Sequence, residues 1–275
     1  MVRTAAQPIV PSVCTPTITK IVGPNVTCSS GAPEIPASLL RPPCHLEILI
    51  PALDEAERLP NTLKQTVKYL ETQSYTSSIV VIDNGSVDHT ADLVANIRSE
   101  QVQIHLTGCA QRGKGAAVRR GLLTSRAHFV GYMDADLATP IDTLDAVLPL
   151  LSMWQAVVGS RRIDGAKLAV RQPPHRTVGG LVFRLMAHHI LPSLADTQCG
   201  FKFFSGDLAR AAARQLRING FAFDVELLRT IIQMGVPVKE IPVVWSDSRG
   251  SSLRALTDGM HAAGDLVRLA RWREP

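Results

Sequence analysis

Residues 129–140 read Phe-Val-Gly-Tyr-Met-Asp-Ala-Asp-Leu-Ala-Thr-Pro and carry the strongest structural signal in the chain. The apolar run Phe129–Met133 predicts a short buried strand, and two carboxylates, Asp134 and Asp136, follow at its carboxyl end. Ligands of open α/β sheets bind at that end of the strands. Because only the small Ala135 separates the two aspartates, we expect both to share one face of the strand edge.

A pair of carboxylates in this position suits a divalent metal ion. Mg²⁺ and Mn²⁺ prefer oxygen ligands and commonly keep substrate phosphates in their coordination shell. The alternative is a solvated turn, where aspartate is common for conformational reasons alone. The other motifs of the chain favour the metal site.

Composition indicates an ordinary globular protein. The chain has 275 residues, of which 45% are hydrophobic and 19% charged, and its net charge of +5 is compatible with phosphate ligands or an anionic membrane surface. The sequence has no block of Lys and Arg residues with interleaved aromatic residues, so it does not predict nucleic-acid binding. Five scattered cysteines indicate reduced thiols and a cytoplasmic setting. We expect no transmembrane segment and no signal peptide.

The chain divides near residue 43. Residues 1–43 hold eight of the eighteen prolines and four charged side chains, which predicts a Pro-rich flexible leader. Strand and helix patterns alternate from there to residue 275, which predicts a single α/β domain with a mostly parallel sheet flanked by helices. Pro242 places the last predicted strand, 238–245, at an edge of the sheet.

Three further motifs flank predicted strands and helices: residues 51–55 (Pro-Ala-Leu-Asp-Glu), 83–90 (Asp-Asn-Gly-Ser-Val-Asp-His-Thr) and 112–115 (Arg-Gly-Lys-Gly). Acidic residues at 54 and 55 also suit a helix start, and Ser86 or Asp88 suits a helix N-cap. Asp83 ends a strand, where its carboxylate could accept an N–H of a nucleotide base. Glycines beside Lys114 let the backbone approach a ligand, and the ammonium offers a charge for phosphate.

In their order and spacing these four motifs resemble the nucleotide-sugar domain of family 2 glycosyltransferases, which have the GT-A fold. Residues 196–202 (Asp-Thr-Gln-Cys-Gly-Phe-Lys), 220–227 and 241–245 resemble the branch that makes dolichyl- or polyprenyl-phosphate glucose and mannose. The resemblance covers residues 46–272 and implies a donor half at about 44–160 and an acceptor half at about 161–275. Asn84 departs from the pattern, because the family usually carries a second aspartate there.

The resemblance also implies roles for individual residues. Asp134 and Asp136 would bind the metal, and Asp136, Asp224 and Arg161 would be catalytic. The donor would contact Pro51, Ala52, Leu53, Glu55, Asp83, Arg112, Lys114, Asp134 and Ala135. The acceptor or its phosphate would meet Arg161, Arg176, Arg249 and Ser251. Cys199 is expected to pack in the core rather than to act as a nucleophile.

The implied activity is a metal-dependent, inverting hexosyl transfer. UDP-glucose or UDP-N-acetylglucosamine is the favoured donor, GDP-mannose the second choice, and a polyprenyl phosphate the favoured acceptor. A soluble hydroxyl acceptor is the alternative, and it needs a general base, for which Asp224 and Glu226 are candidates. A sugar-1-phosphate nucleotidyltransferase is more remote. The basic amphipathic pattern of residues 253–273 is typical of a solvated helix face, and a peripheral membrane contact is the second interpretation.

Overall fold

The structure, a computed structural model, describes residues 40–41, 43–168, 174–246 and 257–272, with only the backbone for 174–180, 257–258 and 260. The strands are β1 (Leu46–Ala52), β2 (Ser77–Asp83), β3 (Val102–Gly108), β4 (Phe129–Met133), β5 (Ala156–Ser160), β6 (Lys167–Leu168), β7 (Phe201–Ser205), β8 (Lys239–Pro242) and β9 (Val244–Trp245). The helices are α1 (Leu59–Leu70), α2 (Thr90–Asn96), α3 (Lys114–Thr124), α4 (Leu144–Leu151), α5 (Pro174–Ile190), α6 (Gly206–Gln215), α7 (Phe223–Gln233) and α8 (Thr257–Arg271).

Seven strands form one sheet in the order β3-β2-β1-β4-β7-β5-β8. The neighbours from β3 to β4 pair in parallel, as do β5 and β8, whereas β7 runs antiparallel between β4 and β5. The mostly parallel sheet is therefore confirmed, with β7 as its reversed strand. Because β7 is reversed, its first residue, Phe201, pairs with Met133 at the end of β4. Residues just before β7 therefore reach the carboxyl edge of the sheet.

Helices cover both faces of the sheet, and the central strands are buried throughout. Along β1, Ile48 and Ile50 pack into one apolar layer and Leu49 into the other, as the two-residue period of a strand requires. The first layer includes side chains of α1 and α4, and the second includes side chains of α3, α6 and α7. This double cover explains why β1, β2 and β4 read as continuous apolar runs.

The predicted strand 129–133 coincides with β4. The predicted strand 238–245 is divided at Val243 into β8 and β9, and Pro242 ends β8, the edge strand, as expected. A 3₁₀ turn, Ile141–Thr143, directly precedes α4. Within the range assigned to the leader, Arg41 is buried and pairs with Glu47 on β1, so packing against the domain begins before residue 44.

Candidate active site

The two aspartates of the Asp-Ala-Asp motif lie at the carboxyl edge of the sheet, in the turn that follows β4. The prediction that they share a strand face is wrong, because β4 ends at Met133 and the chain turns at once. The Asp134 N–H donates to the Gly200 carbonyl at 3.1 Å, and Asp136 Oδ1 accepts the Ala138 N–H at 3.1 Å.

Backbone strain marks this edge of the sheet. Among the described residues, the non-glycine positions with positive φ are Asp54 and Leu137, both at 53°. Asp54 follows β1 and Leu137 follows β4, and these two strands are neighbours. Aspartate tolerates the left-handed region, but leucine there costs about 1–2 kcal/mol. Strain of this kind concentrates where side chains must be held in a set direction.

Lys114 makes the closest polar contact to the motif. Its Nζ lies 2.6 Å from Asp134 Oδ1, and the two side chains are 19% and 35% exposed. Burial alone would lower the pKa of Lys114, but the charges of Asp134, Asp224 and Asp136 raise it above its ordinary value. The ammonium is therefore charged at neutral pH and lies in the field of both aspartates.

Gly200 provides the space in which the Asp134 carboxylate lies. A Cβ built on Gly200 would be 1.9 Å from Asp134 Oδ2, a distance that no side chain could accommodate. The contact exists because antiparallel β7 brings the Gln-Cys-Gly-Phe segment to the end of β4. Sequence reasoning quoted this glycine in a motif but assigned it no role.

Glu55 also faces this cluster. Its carboxylate accepts hydrogen bonds from Arg58 Nε and Nη2 at 2.8 and 2.7 Å. Burial raises the pKa of Glu55, Arg58 opposes that effect, and the charges of Asp136 and Asp134 add to it. The helix-start interpretation of Glu55 is not supported, because α1 begins after Arg58 and has no side-chain cap.

The loop after β1 is tied to the loop after β2 by side chains of the 83–90 motif. Three backbone N–H groups of the first loop donate to these side chains: Asp54 to Ser86 Oγ, Glu55 to Thr90 Oγ1 and Ala56 to Asp88 Oδ2, at 2.9–3.0 Å. In return, the Val87 N–H of the second loop donates to Asp54 Oδ1 at 2.8 Å. Asp88 Oδ1 also accepts the Thr90 N–H at the start of α2, whereas Ser86 does not cap that helix. The motif therefore fixes the path of the residues predicted to bind the nucleoside.

Asn84 ties the same loop to the start of α3. Its Nδ2 donates to the Gln111 and Cys109 carbonyls at 2.7 and 3.3 Å, and its Oδ1 accepts the Gly113 N–H at 2.6 Å. The side chain is buried. A carboxylate cannot donate these bonds. The residue that sequence reasoning treated as a missing aspartate thus has a structural task that requires an amide.

The remaining residues predicted to bind the donor differ in how far they are buried. Ala52 and Ala135 are buried, Pro51 is partly buried, and Leu53 is exposed. Asp83 is partly buried, and its Oδ1 accepts the Ser86 N–H at 3.1 Å. Arg112 is exposed beside Gly113 and has no described side-chain contact that fixes it to the aspartates.

The two candidate bases are engaged in structural contacts. Asp224 Oδ1 accepts hydrogen bonds from Lys202 Nζ at 2.6 Å and from the Tyr132 hydroxyl, and its side chain is 3% exposed. Glu226 accepts the backbone N–H groups of Arg217 and Ile218, both at 2.8 Å. Sequence reasoning missed Lys202 and Tyr132 as partners of Asp224 because both lie far from it in the sequence.

Arg161 is held at the end of β5 by Asp196. Its Nε and Nη2 donate to the two oxygens of Asp196 at 2.6 and 2.9 Å, and its guanidinium lies 5.3 Å from the centre of the Trp245 ring. Burial alone would raise the pKa of Asp196, but the hydrogen bonds and charge of Arg161 lower it to about 2. This pairing orients Arg161, whose field also reaches Asp134.

The structure does not describe the side chains of the other three residues predicted to bind the acceptor. Arg176 lies in the first part of α5, residues 174–180, where only the backbone is described, and Arg249 and Ser251 lie outside the described residues. Cys199 is fully buried, and burial raises the pKa of its thiol to about 11. The thiol is therefore protonated at neutral pH, in agreement with a packing role.

The donor set at this edge fits a divalent cation. Asp134 and Asp136 offer carboxylate oxygens, the ligand type that Mg²⁺ and Mn²⁺ prefer, and Gly200 leaves the space that Asp134 needs. No cluster of three or more His, Cys, Asp or Glu side chains suited to a metal occurs among the described residues. Substrate oxygens or water would complete the coordination shell.

The sheet order and the helices on both of its faces are those of the GT-A fold. Solved structures of glucosyl-3-phosphoglycerate synthase from Mycobacterium tuberculosis share the fold: one has a TM-score of 0.63 and 18% identity and covers 84% of this chain and 82% of its own. Another, solved with Mn²⁺, UDP and glucosyl-3-phosphoglycerate, has a TM-score of 0.62, 18% identity, and covers 84% of this chain and 81% of its own.

The chain belongs to glycosyltransferase family 2, whose model matches residues 47–211. It is 32% identical over 240 residues to the dolichyl-phosphate beta-glucosyltransferase of Dictyostelium discoideum, covering 82% of this chain and 73% of that protein. It is 30% identical over 243 residues to the enzyme of the same name from Homo sapiens, covering 82% and 75%. The predicted family, fold and enzyme class are therefore confirmed.

Proposed function

We propose that the protein transfers glucose, with inversion, from UDP-glucose to a polyprenyl or dolichyl phosphate. The names of its relatives support glucose as the sugar and dolichyl phosphate as the acceptor, because the sequences match along most of their length. The metal site supports it too, since a divalent cation at Asp134 and Asp136 would neutralise charge on the departing diphosphate. UDP-N-acetylglucosamine and GDP-mannose are the next donors in order.

One observation favours a phosphate acceptor over a hydroxyl acceptor. A hydroxyl must lose its proton during the transfer, and Asp224 and Glu226 were the carboxylates expected to take it. Both are buried in contacts that hold the fold: Asp224 with Lys202, and Glu226 with two backbone N–H groups. A phosphate monoester is already ionised at neutral pH, so its oxygen can attack the anomeric carbon without a base.

The proposed roles follow from the positions. Glu55 and Asp83 line the nucleoside pocket, together with Pro51, Ala52, Leu53, Ala135 and the more exposed Arg112. Lys114 binds the donor diphosphate. Arg161, which is held in position by its ion pair with Asp196, binds the phosphate of the acceptor. The acceptor oxygen forms a bond to the anomeric carbon as the bond to UDP breaks, and the electron pair leaves with UDP.

Radiolabelled transfer assays test the proposal. The protein is incubated with UDP-glucose, UDP-N-acetylglucosamine or GDP-mannose, with Mg²⁺ or Mn²⁺, and with a short-chain polyprenyl phosphate in detergent. We expect lipid-linked glucose and an equal amount of UDP. Asp136→Asn should lower kcat/KM about 100- to 1000-fold. The control Asp142→Asn alters an exposed side chain six residues further on and should leave kcat/KM unchanged.

Two results would contradict the proposal. Transfer to soluble hydroxyl acceptors with no stimulation by the lipid phosphate would favour the alternative acceptor. Full activity of Asp136→Asn with added Mn²⁺ would contradict the proposed role of Asp136 in holding a metal that the reaction requires.

We further propose that α5 and α8 contact an anionic bilayer, where a lipid phosphate would be presented. An apolar groove of about 400 Å³ lies between them, lined by Leu185, Met186, Ile190, Leu266, Val267 and Ala270. Leu185 is 61% exposed, and the exposed Arg271 lines the groove. Arg268, which pairs with Asp265, is an exposed cation next to the groove residue Val267 in α8, and both arginines complement acidic headgroups. Among the described residues, no helix combines the length and apolarity needed to cross a bilayer.

Vesicle sedimentation tests this contact. We expect the protein to bind vesicles that contain phosphatidylserine, and the double variant Leu185→Ser/Arg268→Ser to bind several-fold more weakly. The control Met153→Ser changes another exposed apolar residue and should bind as the wild type does. Equal binding by all three proteins would contradict the assignment of this face.

A further inference from the structure

We infer that Lys114 acts as an exchangeable cation: it neutralises Asp134 before substrate binds and moves to the donor diphosphate when a divalent metal occupies the aspartates. Metal binding and diphosphate binding would then be coupled through one side chain. The identity of the diphosphate rests on the proposed function, whereas the competition at Asp134 rests on the contacts alone.

The first step concerns the carboxylate of Asp134. Lys114 Nζ lies 2.6 Å from Oδ1, and Gly200 adjoins Oδ2 so closely that an added Cβ would be 1.9 Å away. The carboxylate is therefore confined between the Lys114 ammonium and the backbone of Gly200. A metal ligated by Asp134 would face an ammonium already bound to the same group, so the two cations compete for it.

The second step concerns the mobility of Lys114. Its backbone is fixed, because the Gly113 N–H is bound by Asn84 and a Cβ on Gly113 would be 2.1 Å from the Asn219 carbonyl. Gly113 also has φ of 117°, which a non-glycine residue rarely adopts. The side chain, in contrast, is a flexible four-carbon stem that can redirect its ammonium while the backbone stays in place.

The third step concerns where the ammonium can go. Asp224 is already paired with Lys202 at 2.6 Å, so it is a poor alternative partner for Lys114. A diphosphate brings new negative charge beside the aspartates, and Lys114 starts α3 at this same edge. The ammonium can therefore exchange one anionic partner for another without being left unpaired. Such an exchange makes each ligand strengthen binding of the other.

Manganese binding, measured by electron paramagnetic resonance and calorimetry, tests the inference without a transfer assay. The wild type, Lys114→Met and the control Lys64→Met, which alters an exposed lysine of α1, are titrated with Mn²⁺ alone and with Mn²⁺ plus UDP. We expect Lys114→Met to bind Mn²⁺ alone about 5-fold more tightly than the wild type. The enhancement of Mn²⁺ affinity by UDP should fall about 10-fold in this variant.

One result of the Mn²⁺ titrations would overturn the inference. Unchanged or weaker binding of Mn²⁺ alone by Lys114→Met would show that Lys114 does not compete for Asp134 and would overturn the inference. If Lys114→Met unfolds at a lower temperature, Lys114→Gln serves in the same titrations, and Lys114→Arg should keep the wild-type pattern. Failure of the transfer assay with the expected Mn²⁺ pattern would reject the proposed function and leave this inference standing.

Discussion

The geometry of Asp134 shows how single residues shape this site. One of its oxygens meets Lys114, which opens α3, and the other lies against Gly200, which precedes β7. Neither neighbour is close to Asp134 in sequence. The direction of one carboxylate therefore depends on three separate segments, and a small change in any of them should alter metal binding before it alters the fold.

Gly200→Ala tests this dependence. The added methyl group would overlap Asp134 Oδ2, so the carboxylate must turn away, and we expect kcat/KM to fall at least about 100-fold with weaker Mn²⁺ binding. Gly108→Ala is the matched control at the same sheet edge, because a Cβ there meets no atom within 4 Å. Activity of Gly200→Ala equal to that of the control would show that the orientation of Asp134 does not matter.

The ion pair between Asp196 and Arg161 predicts a defined pH dependence of stability. The pKa of Asp196 is lowered from 3.8 to about 2, so its ionised form stabilises the fold above pH 4, and this stabilisation is lost as the pH falls towards 2. We expect Asp196→Asn to lower the free energy of unfolding by about 2 kcal/mol at pH 7. The difference from the wild type should shrink between about pH 4 and pH 2.

Urea denaturation at a series of pH values measures this difference. Asp142→Asn, an exposed aspartate in the 3₁₀ turn, is the control and should differ little from the wild type at any pH. A destabilisation of Asp196→Asn that stays constant down to pH 3 would mean that the carboxylate charge is not its source.

At the scale of elements, the loop after β2 connects the other two loops of the site. Its Ser86, Asp88 and Thr90 side chains bind the loop after β1, and its Asn84 binds the loop that leads into α3. Three loops that carry predicted donor residues are thereby joined into one rigid edge. The polar residues of the 83–90 motif thus have a structural function in addition to any contact with substrate.

Asn84→Asp tests whether this connection serves substrate binding. The carboxylate keeps an acceptor for the Gly113 N–H but loses the donor to the Gln111 carbonyl and faces that carbonyl with negative charge. We expect KM for the nucleotide sugar to rise about 10-fold with a smaller change in kcat, because the loop that positions Lys114 loosens. The exposed Asn61→Asp is the control. An unchanged KM, with only the unfolding temperature lowered, would indicate a purely structural role.

At the scale of the whole molecule, a buried ion pair joins the segment before β1 to the body of the domain. Arg41 donates to Glu47 at 2.7 Å, to Thr124 at 2.6 Å and to the Gly121 carbonyl at 2.8 Å. Arg41 and Glu47 are 4% and 0% exposed. Glu47 is near the start of β1, so this pair lies at the end of the strand opposite the aspartates.

Removing one partner of this pair should destabilise the protein strongly without altering catalysis. We expect Glu47→Leu to lower the free energy of unfolding by about 3–5 kcal/mol, because Arg41 is left as a buried unpaired charge, and to leave kcat/KM within about two-fold at 20 °C. The double variant Arg41→Met/Glu47→Leu should be more stable than Glu47→Leu. Chemical denaturation of both variants measures these differences.

The control for this experiment is an ion pair whose acidic partner is exposed. Asp207 and Arg210 form a surface contact in which the aspartate is 99% exposed, and Asp207→Asn should have little measurable effect on stability. A double variant less stable than Glu47→Leu would show that the packing of Arg41, rather than its charge, dominates.

Much of the fold was predictable from local pattern, and the site was predictable in part. The apolar run at 129–133 predicted β4 at the residues observed. The motifs also placed Asp134 and Lys114 in one site. Local pattern could not show that Asp224, a candidate base, is buried in structural contacts, because its partners Tyr132 and Lys202 come from two strands of the sheet.

Period and composition therefore specify the elements of this protein, since the burial of alternate residues is a property of each short segment. The reversed direction of β7, the space that Gly200 leaves for Asp134 and the amide contacts of Asn84 depend on tertiary packing. The hydrogen bonds of the site also join distant residues: Lys114 and Asp134 are 20 positions apart, Asn84 and Gly113 are 29 apart, and Tyr132 and Asp224 are 92 apart. Such contacts arise only when separate elements pack together, and they decide which carboxylates can bind a metal and which hold the fold.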